Sequence, residues 1–143
     1  MDLDRAESWG NAWGRDVAGS MGSWPELESA RAEFIRRTGG SCEKHAFDTF
    51  FRAAIIRAAS ELAGSTAIIH AIKKSGEREE MARIVKEALS EALSETNPIA
   101  RTEAMRSVLR TAIRQGFTTI ARTAADHLAT YAADGSAGTP ERP

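Results

Sequence analysis

Residues 41–62 read SCEKHAFDTFFRAAIIRAASEL. When each residue is turned by about 100°, Phe47, Phe50, Phe51, Ala54, Ile55, Ala58 and Leu62 gather on one side, as the buried stripe of a helix does. Ser41 stands where it could cap that helix. Ile56 falls on the opposite side, among His45, Thr49, Arg52 and Ser60, and points to a second contact. Gly64-Ser65 is expected to interrupt the helix, with Ala67, Ile68, Ile69, Ala71 and Ile72 forming a short continuation that ends at Gly76.

The rest of the chain agrees with a helical core. Its 143 residues include 26 Ala and only 3 Val; Ala loses no side-chain entropy in a helix, and few residues here favour strands. The chain therefore reads as all-α, a bundle of four to five helices with a C-terminal antiparallel helical hairpin and a Trp-containing N-terminal arm. Ser23 and Glu26 have capping-box spacing, Pro25 suits a first turn, and Arg36-Arg37 precede Gly39-Gly40, so 24–38 reads as a short helix. Glu77, Glu79 and Glu80 open another helix with charge that complements its dipole. Met81, Ile84, Val85, Ala88, Leu89 and Ala92 are its expected buried stripe. Asn97-Pro98 marks the next start, with Asn as cap and Pro at the first helical position. The short link at this point implies an antiparallel hairpin.

The last helix carries Met105, Leu109, Ala112, Ile113, Phe117, Ile120, Ala124, Leu128 and Tyr131 at heptad-like spacing. Gly116 is a place where it could bend or break, and lies on the buried side, where a missing side chain lets another backbone approach. The division expected is a flexible Trp/Gly arm over 1–22, one helical domain over 23–134 and a disordered tail over 135–143.

Charge narrows the function classes. Nineteen Lys and Arg against 20 Asp and Glu leave a net charge of -1, unlike a domain built chiefly to coat nucleic acid. Acidic stretches (1–40, 77–97) alternate with basic ones (41–76, 98–134), which suits packing within or between subunits. Arg106, Arg110 and Arg114 line one side of the last helix, flanked by Arg101 and Arg122. The expectation is that Glu87 and Glu91 across the hairpin neutralise this row; the alternative is a phosphate-contacting ridge.

Cys42 is the one cysteine, so no intramolecular disulfide and no multi-thiolate metal site is expected. Cys42, His45 and Asp48 share the start of the core helix, but Glu43 opposes thiolate formation and no oxyanion-hole element lies nearby. His70 and His127 lack metal-ligand spacing. No nucleotide loop or nucleophile elbow occurs. Neither catalytic nor metal residues nor a cofactor are expected. The acidic MDLDRAES start has no apolar run, and no stretch approaches the ~20 apolar residues of a membrane span; a cytoplasmic protein without membrane partners is expected.

Trp-Gly recurs after four residues in ESWGNAWGRDV, and Trp24 follows. An arm bearing such side chains either docks on another chain or folds back on its own core. The segment Trp9–Gly14 resembles Trp-Gly-x-x-Trp-Gly segments of some small phage or prophage-encoded proteins; that resemblance implies a phage context and carries no functional residue over. The expectation is a non-enzymatic protein-interaction or assembly module, homo-oligomeric, with Trp9, Trp13, Trp24, Ile56, Phe117 and Tyr131 as contacts. The alternatives are a nucleic-acid-binding domain using the Arg row, and a phage structural or host-directed inhibitory protein.

Overall fold

A computed structural model describes residues 2–21, 23–70 and 75–134, and among them there are six helices packed against one another. These are α1 (Leu3–Met21), α2 (Leu27–Thr38), α3 (Lys44–His70), α4 (Ser75–Ser94), α5 (Pro98–Gln115) and α6 (Thr118–Ala133). The all-helical bundle follows the sequence pattern; its divisions depart from it in three places. The expected tail lies outside the described residues.

The first departure is α1. Residues 3–21 form a helix packed along α3 where an arm was expected. Asp2 starts it by accepting the Asp4 amide at 3.0 Å. What holds it is a row of small residues, Ala6, Gly10, Gly14 and Ala18, all buried and four apart. The row lies on an equally spaced row of α3 that includes Phe50 and Ala54. A Cβ on Gly10 would come within 3.0 Å of the Phe50 carbonyl, and one on Gly14 equally close to that of Ala54. Gly10 thus sits at Phe50 and Gly14 at Ala54, so the two helices run in the same direction with their backbones nearly touching. Glycine costs helix propensity when a segment stands alone; here that cost is offset by close packing over the length of α1.

The second departure is α3 itself, which runs unbroken through Gly64 and Ser65. Lys44 donates to the Ala133 carbonyl at 2.9 Å and Arg52 pairs with Asp126, so α6 lies antiparallel beside α3. Glu43, not Ser41, caps α3: its carboxylate accepts the His45 and Ala46 amides at 2.9 and 3.0 Å. These two bonds, led by that from His45, hold the Glu43 carboxyl below its ordinary pKa.

The third departure is at the start of α2. The helix begins at Leu27 with Glu26 in the cap position and no side-chain cap bond, because Trp24-Pro25 is drawn inward and Pro25 is fully buried. At its other end Gly39 takes φ 76° and the Gly40 amide reaches the Ile35 carbonyl, so the helix stops where the two glycines predict.

At Gly116 the sequence left open whether the last helix continues; it is two helices joined at this residue, whose φ of 76° suits glycine. Its missing side chain also admits α3: a Cβ there would be 2.6 Å from Ala67 Cα. The carbonyls at the end of α5 are then met by side chains from elsewhere. Thr66 donates to Ile113, His70 Nε2 lies 2.8 Å from the Arg114 carbonyl, and Arg78 donates to Gln115 at 3.0 Å.

Helices α3, α5 and α6 pack on one another, with α1 on the outer side of α3 and α4 on the outer side of α5. Ile55, Ala59, Met105, Leu109, Ala112, Ala124 and Tyr131 belong to their common core. A second cluster, Ala6, Phe34, Phe47 and Phe50, ties α1 and α2 to the start of α3. Among the described residues no helix is long and apolar enough to cross a membrane.

Candidate functional site

The hairpin of α4 and α5 forms as its short link requires. Asn97 Oδ1 accepts the Ala100 amide at 2.9 Å and Pro98 occupies the first turn. Its seam is apolar, with Val85 and Ala92 of α4 buried in the same cluster as Met105, Val108 and Leu109 of α5. The expected neutralisation of the two charged rows across this seam does not occur as drawn. Glu87 pairs at 2.7 Å with Arg83 of its own helix, and Arg106 at 2.9 Å with Glu103 of its own helix. Among the described residues neither Arg110 nor Arg114 has a carboxylate within 4.0 Å. Partners three or four residues apart on one helix are nearer than the facing helix, whose contact line is filled by hydrocarbon.

The five candidate arginines therefore separate. Arg106, Arg110 and Arg114 are exposed on α5. Arg101 is half-buried with its guanidinium 4.3 Å from the Tyr131 ring centre, a cation–π placement that draws it inward. Arg122 is exposed on α6 beside the valley described below.

The six residues expected at an interface do not form one surface. Trp13 stacks on Phe50 with ring centres 5.7 Å apart, and Trp9 lies under Arg37 at 5.8 Å; both are half-buried against the cluster of α1, α2 and α3. Phe117, just before α6, lies 4.8 Å beneath Arg78, and Tyr131 near the other end is buried. Ile56 is half-buried in a valley of about 1270 Å³ between α1, α3 and α6, a mixed surface that also holds Glu7, His45, Arg52 and Arg122. Trp24 enters a different depression.

That depression is an apolar groove of about 540 Å³. Phe51, Ile55 and Leu62 of α3, Leu109 and Ile113 of α5, and Leu128 of α6 line it together with Trp24. Glu26 and Glu28 at the start of α2 and Arg106 and Arg110 of α5 line it too; Glu28 lies 3.8 Å from Arg31 and Arg106 2.9 Å from Glu103. Sequence reading missed this groove because its walls come from four separated segments, although Leu62, Ile113 and Leu128 each appeared in an apolar stripe.

Surface apolar residues were missed as well. Ile84, expected in the buried stripe of α4, is 47% exposed; Leu93 is 45% and Ile99 60% exposed on the same hairpin. Helix α4 packs on α5, and its N-terminal turn reaches the α5–α6 corner through Arg78. A wheel from Ile84 through Ala88, Met81, Ala92, Val85 and Leu89 to Leu93 covers about half a turn, wider than one neighbouring helix can cover.

Cys42 is exposed before α3. Asp48 receives Lys44 at 2.8 Å. Among the described residues His, Cys, Asp and Glu form no group of three that could hold a metal ion. Comparisons with family models, curated proteins and solved structures find no match to this chain.

Proposed function

We propose that this chain is a non-enzymatic helical module that works through protein contacts and assembles with copies of itself. The observation that carries the reading is the outer helix α4, whose apolar arc is wider than its contact with α5 and leaves Ile84 and Leu93, with nearby Ile99, open to water. Ile84 and Leu93 stand at the two edges of that arc, so α4 offers an apolar side chain on either flank of its contact with α5. Light scattering after size exclusion tests it: the native chain elutes above monomer mass, and Ile84→Lys with Leu93→Lys returns it to monomer. A clean monomer of the native chain at high micromolar concentration overturns self-assembly.

A second reading, nucleic-acid binding, is favoured by Arg110 and Arg114, which stand without a carboxylate partner among the described residues. It requires salt-sensitive binding of a labelled duplex or single strand, with Arg114→Glu weakening it and lowering the salt slope by about 1. Absence of binding in low salt ends this reading.

A further inference from the structure

The groove has a feature that a plain apolar depression lacks, namely banks of opposite charge. Its floor is half-buried hydrocarbon from Trp24, Leu62, Ile113 and Leu128. Glu26 and Glu28 line it from the start of α2, with Arg31 3.8 Å from Glu28, and Arg106 and Arg110 line it from α5, with Glu103 2.9 Å from Arg106; all four are exposed. The α3 wall from Phe51 to Leu62 rises about 16 Å, three helical turns. We propose that this groove receives an amphipathic helix of a partner protein, with its apolar stripe on the floor, an acidic edge along Arg106 and Arg110, and a basic edge along Glu26 and Glu28. The inference rests on the protein-contact part of the function proposed above.

The charges decide between occupants. A simple amphiphilic anion would satisfy the arginine bank and leave two carboxylates facing its tail, whereas a helix with one edge of each sign meets both banks. The residues after Asp134, GSAGTPERP, include no large apolar side chain. Opposite banks also fix direction, because turning the helix end for end exchanges its edges.

Three labelled synthetic helical peptides of about four turns, sharing one leucine stripe, test the proposal against the full chain by fluorescence anisotropy. One has a Glu edge and a Lys edge, one two Glu edges and one two Lys edges. The mixed peptide binds, and each single-sign peptide binds at least about tenfold more weakly. Arg106→Glu with Arg110→Glu, checked for helicity by circular dichroism, transfers the preference to the two-Lys peptide. Equal binding of all three peptides, an unchanged preference after charge reversal, or no binding at high micromolar concentration overturns the proposal. So does a native dimer that the same reversal converts to monomer, since the occupant is then a second copy. A monomeric chain that binds the mixed peptide keeps this proposal and removes self-assembly. A chain that assembles through Ile84 and Leu93 yet ignores every peptide does the reverse.

Discussion

The two outer helices, α1 and α4, are attached to the core by different means. Helix α1 lies on α3 through Ala6, Gly10, Gly14 and Ala18, close enough that a single methyl group has no room at Gly10 or Gly14. Helix α4 lies on α5 through a mixed apolar stripe without glycine, of which Val85 and Ala92 are buried while Ile84 stays open. The first contact is a steric fit that admits one register. The second is an apolar stripe broader than its partner, which suits a surface that has further contacts to make. Helix α1 leaves Leu3 open at its first turn and buries Ala6, Val17 and Ala18 along its length, whereas α4 leaves Ile84 and Leu93 open along its length.

The largest effect expected from this contrast is at Gly14. Gly14→Val forces a branched side chain against the Ala54 backbone, which cannot move as a flexible side chain would. Overpacking typically costs about 1–3 kcal/mol, and contact with backbone belongs at or above the top of that range. Urea unfolding reads the loss. Gly19→Ala on the same helix is the control, since nothing lies within 4 Å of the added carbon; it is expected to stabilise by up to about 1 kcal/mol. Equal effects at the two positions would show that α1 does not sit on α3 as described.

Next comes Gly116→Ala, which combines a left-handed φ of 76° with a Cβ 2.6 Å from Ala67 Cα. A loss of about 2 kcal/mol is expected, from backbone strain of roughly 1 kcal/mol and a similar displacement of α3. Asn97→Ala, which removes the cap of α5 on the loose side of the molecule, is expected to cost about 1 kcal/mol. Thermal unfolding ranks the two. A larger loss at Asn97 than at Gly116 would place the rigid element at the hairpin tip instead of the corner.

How much of this was legible depended on how local the cause is. The core stripe of α3, the Asn97-Pro98 start and the Gly39 stop are written in neighbouring residues. Gly116 was legible as a place of close approach, but whether the helix breaks there depends on Ala67, 49 residues away. Gly10 and Gly14 pointed the wrong way: by propensity they weaken a helix, and only the facing row of α3 turns their spacing of four into an attachment. Gly64 also pointed the wrong way, since α3 runs through it, but there nothing packs within 4 Å of the missing side chain. The arginine row was placed correctly and its partners were not, because a helical wheel gives the direction of a charge and not which of two carboxylates is nearer. The groove needed four segments brought together before it existed at all.

The smallest effect separates the two regions by charge. In α2, Glu33 is only 17% exposed at its side chain and is held by Arg36 at 2.5 Å and Arg37 at 2.6 Å, the latter reaching over Trp9 of α1. Burial pushes the Glu33 carboxyl up, but hydrogen bonds and charge from Arg36 and Arg37 outweigh it and leave it below its ordinary pKa. In α4, Glu80 is lowered too, by Arg83, but its side chain is 59% exposed. A carboxyl lowered in the folded state contributes stability above the ordinary carboxylate pKa of about 4.3, and that contribution fades as pH falls through the lowered folded value. Glu33→Gln should therefore be less stable than the native chain near neutral pH, with the gap closing on acidification below about pH 4. Glu80→Gln should show little gap at any pH, since water screens an exposed pair. Chemical denaturation from pH 7 to pH 3 reads both. A gap at Glu33 that stays constant into acid would mean its carboxylate is lost through packing and not through charge, and a pH-dependent gap at Glu80 would mean α4 is held more tightly than its open flank implies.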